Sequence, residues 1–189
     1  MKRIAPILVL AALVLCASAA VAQAPAKGFR AEFLAQQTGV EKELLGLAEA
    51  TPAEKFAWRP AEGVRSVSEV YMHIAGTNYM LPGFAGVKVP EGISRDMEKT
   101  VTEKAAVIEA LKKSFAHLRA AVTATSDADL DKPLRFFGMD STVRGLYLVV
   151  ANHEHEHLGQ SIAYARMNGI VPPWTAARQA KAPEKPAMK

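Results

Sequence analysis

Four long stretches of this chain place apolar residues three and four apart, and that spacing limits the possible folds more than any other feature of the sequence. On an α-helix such residues share one stripe, which must be buried against another element. Phe29 to Ala50 carries Phe33, Gln37, Val40, Leu44 and Leu47 in this phase. The second stretch opens at Ser66-Val67-Ser68-Glu69, which has the form of a capping box, and runs to about Met80 before Pro82-Gly83. Its face holds Val67, Val70, Ile74 and, between them, His73. Val101 to Thr123 aligns Ile108, Leu111, Phe115, Leu118 and Val122. The fourth begins near Ser141 and ends at Asn168-Gly169, with Pro172-Pro173 beyond. Strand signals are poor throughout. Four amphipathic helices predict an all-α chain built as a four-helix bundle.

The connecting segments add detail. Thr51-Pro52-Ala53-Glu54 predicts a short helical turn that ends at Trp58-Arg59-Pro60. Phe136, Phe137 and Met139, in the irregular segment before the fourth helix, read as a hydrophobic cap on the bundle or a lid over a site. Residues 174–189 are rich in Ala, Lys and Pro and are expected to form a disordered basic tail.

The N-terminus reads differently. Lys2 and Arg3 precede an apolar run from Ile7 to Val21 and small residues, the pattern of a secretory signal peptide. Of two A-x-A sites, cleavage after Ala22 is expected, because cleavage after Ala24 would leave Pro25 next to the cut. Residues 1–22 are therefore taken as the signal peptide, with a periplasmic or secreted protein and no stable membrane anchor after cleavage. Cys16 belongs to the apolar run, so the remaining 167 residues hold no cysteine. A disulfide is then excluded, and the fold must rest on its hydrophobic core. Of the formal net charge of +4, two units sit on Lys2 and Arg3 and three on the last fifteen residues, leaving the body at −1. A nearly neutral body gives no support to a nucleic-acid partner.

Three of the five histidines lie in His153-Glu154-His155-Glu156-His157. At about 100° per residue, His157 falls about 40° from His153 and Gln160 about −20°, whereas His155 falls about 200° away. His153 and His157 thus share the stripe of Leu146, Val149, Val150, Ser161 and Tyr164. His73 stands in the corresponding position on the second helix. Three imidazoles on facing stripes, each desolvated, point to a metal site of His73, His153 and His157, since neutral imidazole is a common metal ligand. His155 and His117 fall on outward arcs and are expected to be solvated. Glu154, at about 100°, and Glu156, at about −60°, flank the ligand arc. Either is a candidate to accept a hydrogen bond from a ligand or to carry a proton, against the ordinary role of a surface acid. Gln160 shares the ligand face and is a third such candidate.

Two other metal patterns fit less well. The same five residues satisfy the H-E-x-x-H of a small zinc protease, but the only acid after His157 is Glu184 in the tail, and Gln160 and Ala163 stand where an extended motif needs Gly and His. A di-iron bundle needs two E-x-x-H pairs, and only Glu154-x-x-His157 is present.

The stretch Trp58-Arg59-Pro60-Ala61-Glu62-Gly63-Val64-Arg65-Ser66, His73 in the following helix, and His153 to Gln160 continuing through Tyr164-Ala165-Arg166-Met167-Asn168-Gly169 to Pro173 resemble the DinB-like (DinB/YfiT) family of metal-dependent proteins. The resemblance covers residues 29–173. It implies an up-and-down four-helix bundle, a divalent ion held by His73, His153 and His157, and often a homodimer. Some members use a low-molecular-weight thiol as cosubstrate, but export and the lack of an evident inward basic cluster sit poorly with that here. Three protein ligands would leave one position open, the pattern of a catalytic metal, and nickel, zinc and iron(II) all suit imidazole. The expectation is one ion per chain in a metal-dependent hydrolase or transferase acting on a small molecule. The alternative is a non-enzymatic metal-binding or stress-related protein.

Overall fold

The computed structural model describes residues 27–181. The expected signal peptide lies outside the described residues, as does the chain beyond Lys181. Among the described residues are six α-helices, α1 (Phe29–Ala50), α2 (Val67–Met80), α3 (Met97–Thr100), α4 (Lys104–Ala124), α5 (Val143–Met167) and α6 (Pro173–Lys181), and two strands, β1 (Pro133–Phe136) and β2 (Met139–Thr142). None of these helices is long and apolar enough to cross a membrane.

The four long helices match the four periodic stretches. Both α1 and α2 pack against α4 and α5. The stripe of α1 is fully used: Phe33, Gln37, Val40, Leu44 and Leu47 are all buried. The expected capping box opens α2, with the Ser66 N–H donating to Glu69 Oε2 at 2.7 Å and the Glu69 N–H donating to Ser66 Oγ at 3.3 Å. The short turn after Thr51 is a 3₁₀ turn over Ala53–Lys55. The third stretch forms α4, which starts three residues later than expected because Val101 is extended and caps the short α3 that precedes it.

Two expectations need correction. The chain is mostly helical but not purely so, since β1 and β2 form an antiparallel hairpin with Phe136 opposite Met139. Its two-residue loop, Phe137-Gly138, has φ of 49° and 81°, the positive values that a tight hairpin turn of this length requires. Phe136 is buried against Leu118, Val122 and Leu146, and its ring meets those of Phe84 and Phe137. The hairpin is thus a cap on the core. The tail is the second correction: α6 continues to Lys181, with Pro173 at its first position, where a missing N–H costs nothing. Trp174 packs against the cluster of Leu44, Tyr71 and Phe115, and Pro173 approaches Gly46 to 3.8 Å from the position of an added Cβ.

Candidate metal centre

His73 comes from the middle of α2, and His153 and His157 from successive turns of α5; α2 and α5 pack together. One ligand atom from each of the three histidines lies within 4.8 Å of the other two. Their ring centroids are 4.5 to 4.9 Å apart. The Nε2 atoms of His73 and His153 stand 3.0 Å apart, and Thr77 Oγ1 lies 3.4 Å from the latter.

The Nδ1 atoms of His73 and His157 are held by other groups, whereas that of His153 is buried without a partner. His73 Nδ1 is 3.0 Å from Glu98 Oε2, and the bond is satisfied when Nδ1 carries the proton. Arg65 Nε donates to the other Glu98 oxygen at 2.7 Å, and Arg65 Nη2 lies 3.2 Å from His73 Nδ1. His157 Nδ1 faces Gln160 Oε1 at 2.8 Å, which again puts the proton on Nδ1. Gln160 Nε2 donates to Tyr164 Oη at 3.0 Å, and that hydroxyl donates to the Arg65 carbonyl at 3.2 Å. Trp58 meets Tyr164 edge to face. A continuous path of contacts therefore joins His157 to His73 through Gln160, Tyr164 and Arg65. It leaves the Nε2 lone pairs of both histidines turned inward.

The imidazoles of His73 and His153 are held in the neutral form that a metal ligand requires. Burial lowers the pKa of His73, the Arg65 charge lowers it further, and Glu98 offsets part of this. Burial, and then the charges of His157, His73 and Arg65, push His153 down to about 3. Burial alone would raise Glu98, but the hydrogen bond and charge of Arg65 bring it below its ordinary value. Near neutral pH the rings of His73 and His153 are thus uncharged, while Glu98 is ionised. With the His73 proton on Nδ1, the 3.0 Å contact is a hydrogen bond when His153 Nε2 carries its proton, and it becomes a pair of facing lone pairs open to a cation when that proton moves to Nδ1. Ligands bound at about 2.0–2.1 Å to one ion stand about 3.0–3.4 Å apart, so the observed separation suits a shared divalent ion.

The remaining candidates divide. Gln160 takes its expected place on the ligand face. Glu156 and His155 are exposed, and the Nδ1 of His155 lies 2.8 Å from the Ala151 carbonyl oxygen. His117 departs from expectation: it is half-buried, 5.1 Å from the Tyr79 ring, and its Nε2 is buried without a partner. Glu154 is the largest departure, because it is wholly buried and lies outside the histidine cluster. Burial pushes its carboxyl up to about 8, and the Gln37 and Asn78 side chains counter only part of that. Tyr147, Val150, Glu154, Leu158 and Ser161 are all buried on α5, so the buried arc is centred near Glu154 and the two histidines sit on its flank. The H-E-x-x-H glutamate therefore points into the helical core rather than toward the three imidazoles.

Sequence reasoning missed Glu98 and the role of Arg65. Arg65 lies in the stretch that carried the family resemblance, whereas Glu98 follows a long loop and no spacing relates it to His73. Beside the site a cavity of about 550 Å³ reaches His73 and Thr77. Met72, Met80, Val89 and Ile93 form its apolar wall, and Arg65, Arg95 and Glu98 are the charged groups on it. No hairpin residue lines it, so Phe136, Phe137 and Met139 do not form a lid over this cavity.

A mostly helical chain with three histidines converging from two helices defines a class of small helical protein with a candidate metal site. The family model of the DinB superfamily matches residues 36–161, and the chain belongs to that superfamily. Two solved structures share the fold. A DinB-like protein from Bacillus cereus is 20% identical with a TM-score of 0.67, over 75% of this chain and 93% of that one. A DinB-like protein from Bacillus subtilis is 20% identical with a TM-score of 0.60, over 74% and 93%. No curated protein matches the chain.

Proposed function

We propose that the protein is an exported four-helix bundle of α1, α2, α4 and α5 that binds one divalent ion through His73, His153 and His157 and serves as a metal-dependent hydrolase or transferase on a small molecule. The observation that carries this reading is the orientation of the imidazoles. Glu98 and Gln160 hold the Nδ1 atoms of His73 and His157, and the Nε2 atoms of His73 and His153 meet at 3.0 Å. An ion bound there would supply Lewis acidity toward a substrate oxygen or sulfur. The chain's own groups do the rest. Glu98 and Gln160 fix the ligand rings, Arg65 holds Glu98 ionised, and the cavity at His73 admits a small molecule to the site.

The test is metal analysis of protein purified from its native compartment, together with histidine variants. Replacing His73, His153 or His157 by Ala should each remove most of the bound metal, leaving two imidazoles. His155→Ala should leave metal content near wild type, because its ring is committed to the Ala151 carbonyl on an exposed face. The comparison separates a site from mere proximity, since His155 lies between two ligands in sequence. Full metal retention by His73→Ala would overturn the assignment. N-terminal sequencing of exported protein tests the compartment: a start at Gln23 is expected, and a mature chain that begins at Met1 would contradict it.

A further inference from the structure

The cavity beside His73 has an unequal charge content. Glu98 is engaged on both of its oxygens, by Arg65 at 2.7 Å and by His73 at 3.0 Å. Arg65 is engaged in the same pair. Arg95 also lines the cavity, and among the described residues its guanidinium pairs with no carboxylate; its one side-chain hydrogen bond goes to the Met80 sulfur at 3.9 Å. Leaving aside an ion on the three histidines, the side chains of the cavity thus carry one uncompensated positive charge beside an apolar wall made by Met72, Met80, Val89 and Ile93. At about 550 Å³ it falls within the range of small-molecule sites.

We propose that this cavity binds a small monoanionic molecule with an apolar body, its carboxylate held by Arg95 and its body lying along Met72, Met80, Val89 and Ile93 toward His73. The planar guanidinium fork matches a carboxylate in two parallel hydrogen bonds, which fixes orientation as well as charge. One free guanidinium matches one negative charge, while the apolar wall disfavours a ligand charged along its length. The inference rests on the reading of the three histidines as a metal centre for what happens to the ligand, but not for its capture.

The probes are 4-phenylbutyrate and its neutral counterpart 4-phenylbutan-1-ol, titrated calorimetrically into the full chain in metal-loaded and chelated forms. The carboxylate is expected to bind at least tenfold tighter than the alcohol. Arg95→Gln should weaken the carboxylate five- to tenfold and leave the alcohol unchanged, with metal content as in the wild type. Ile93→Ser should weaken both probes. The dependence on Arg95 should persist after chelation, so a failure of the metal assignment would leave it standing. Equal binding of the two probes, or no binding of either at millimolar concentration, would overturn the proposal. So would carboxylate binding that disappears with the metal and ignores Arg95→Gln, because the anion would then sit on the ion.

Discussion

At His157 the proton on Nδ1 is committed to Gln160, and Gln160 is in turn held by Tyr164, so the ring has little freedom to turn its Nε2 away from the site. Partners of this kind typically change metal affinity by about 10–100-fold when removed. Gln160→Leu should therefore weaken metal binding within that range while leaving all three ligands in place, as measured by competition with a chelator of known affinity. Unchanged affinity would mean that packing alone orients His157. Glu154 gives the opposite case. It lies next to His153 in sequence, yet it is buried among core residues and outside the cluster, so Glu154→Gln should retain full metal content. Metal loss in that variant would mean that the carboxylate reaches the ion. The convergence of the three histidines could be read from the chain because each has a fixed helical phase. The burial of Glu154 could not, because α5 packs against both α1 and α2 and its buried arc is wider than a single stripe predicts.

The N-terminus of α2 joins helix formation to the site. Glu69 closes the capping box with Ser66, takes a hydrogen bond from Lys99 at 2.9 Å and pairs with Arg59 at 3.1 Å. Burial alone would raise its pKa, but Lys99, the Ser66 N–H and Arg59 together bring it down to about 2. A carboxyl depressed in the folded state contributes stability above its unfolded pKa, about 4.3, and loses it as pH falls through the folded value. Glu69→Gln keeps a side chain able to close the box but removes the charge. Above pH 5 the variant should be less stable than wild type by about 1–3 kcal/mol, and the gap should close between pH 4.5 and 2. Urea unfolding at several pH values measures this, and a gap that is constant with pH would contradict the charge argument. The capping motif was readable because Ser66 and Glu69 are three residues apart. The hairpin was not, because each strand has only four residues and its turn depends on Phe137 adopting a positive φ beside Gly138.

At the scale of the whole molecule, the core and the candidate metal site are largely separate. One buried cluster gathers Leu44, Tyr71, Ile74, Phe115 and Leu158, and a second gathers Phe33, Leu118, Leu146, Tyr147 and Val150. Neither needs an ion to form, unlike a small zinc domain whose apolar core is too small to fold alone. The ion would instead join α2 to α5, and its stabilisation follows from binding the folded state only. At a thousandfold excess over Kd this amounts to about 4 kcal/mol. For a domain of this size about 1 kcal/mol shifts Tm by roughly 2–4 °C. Removing metal with a chelator should therefore lower Tm by about 8–16 °C, while helical circular dichroism at 25 °C remains close to that of the loaded protein. The three-histidine variants should start from the lower Tm and show no further drop with chelator, since they have no ion to lose. Collapse of the helical signal at 25 °C on chelation would show that the ion is structural and that the apolar stripes alone do not hold the four long helices together.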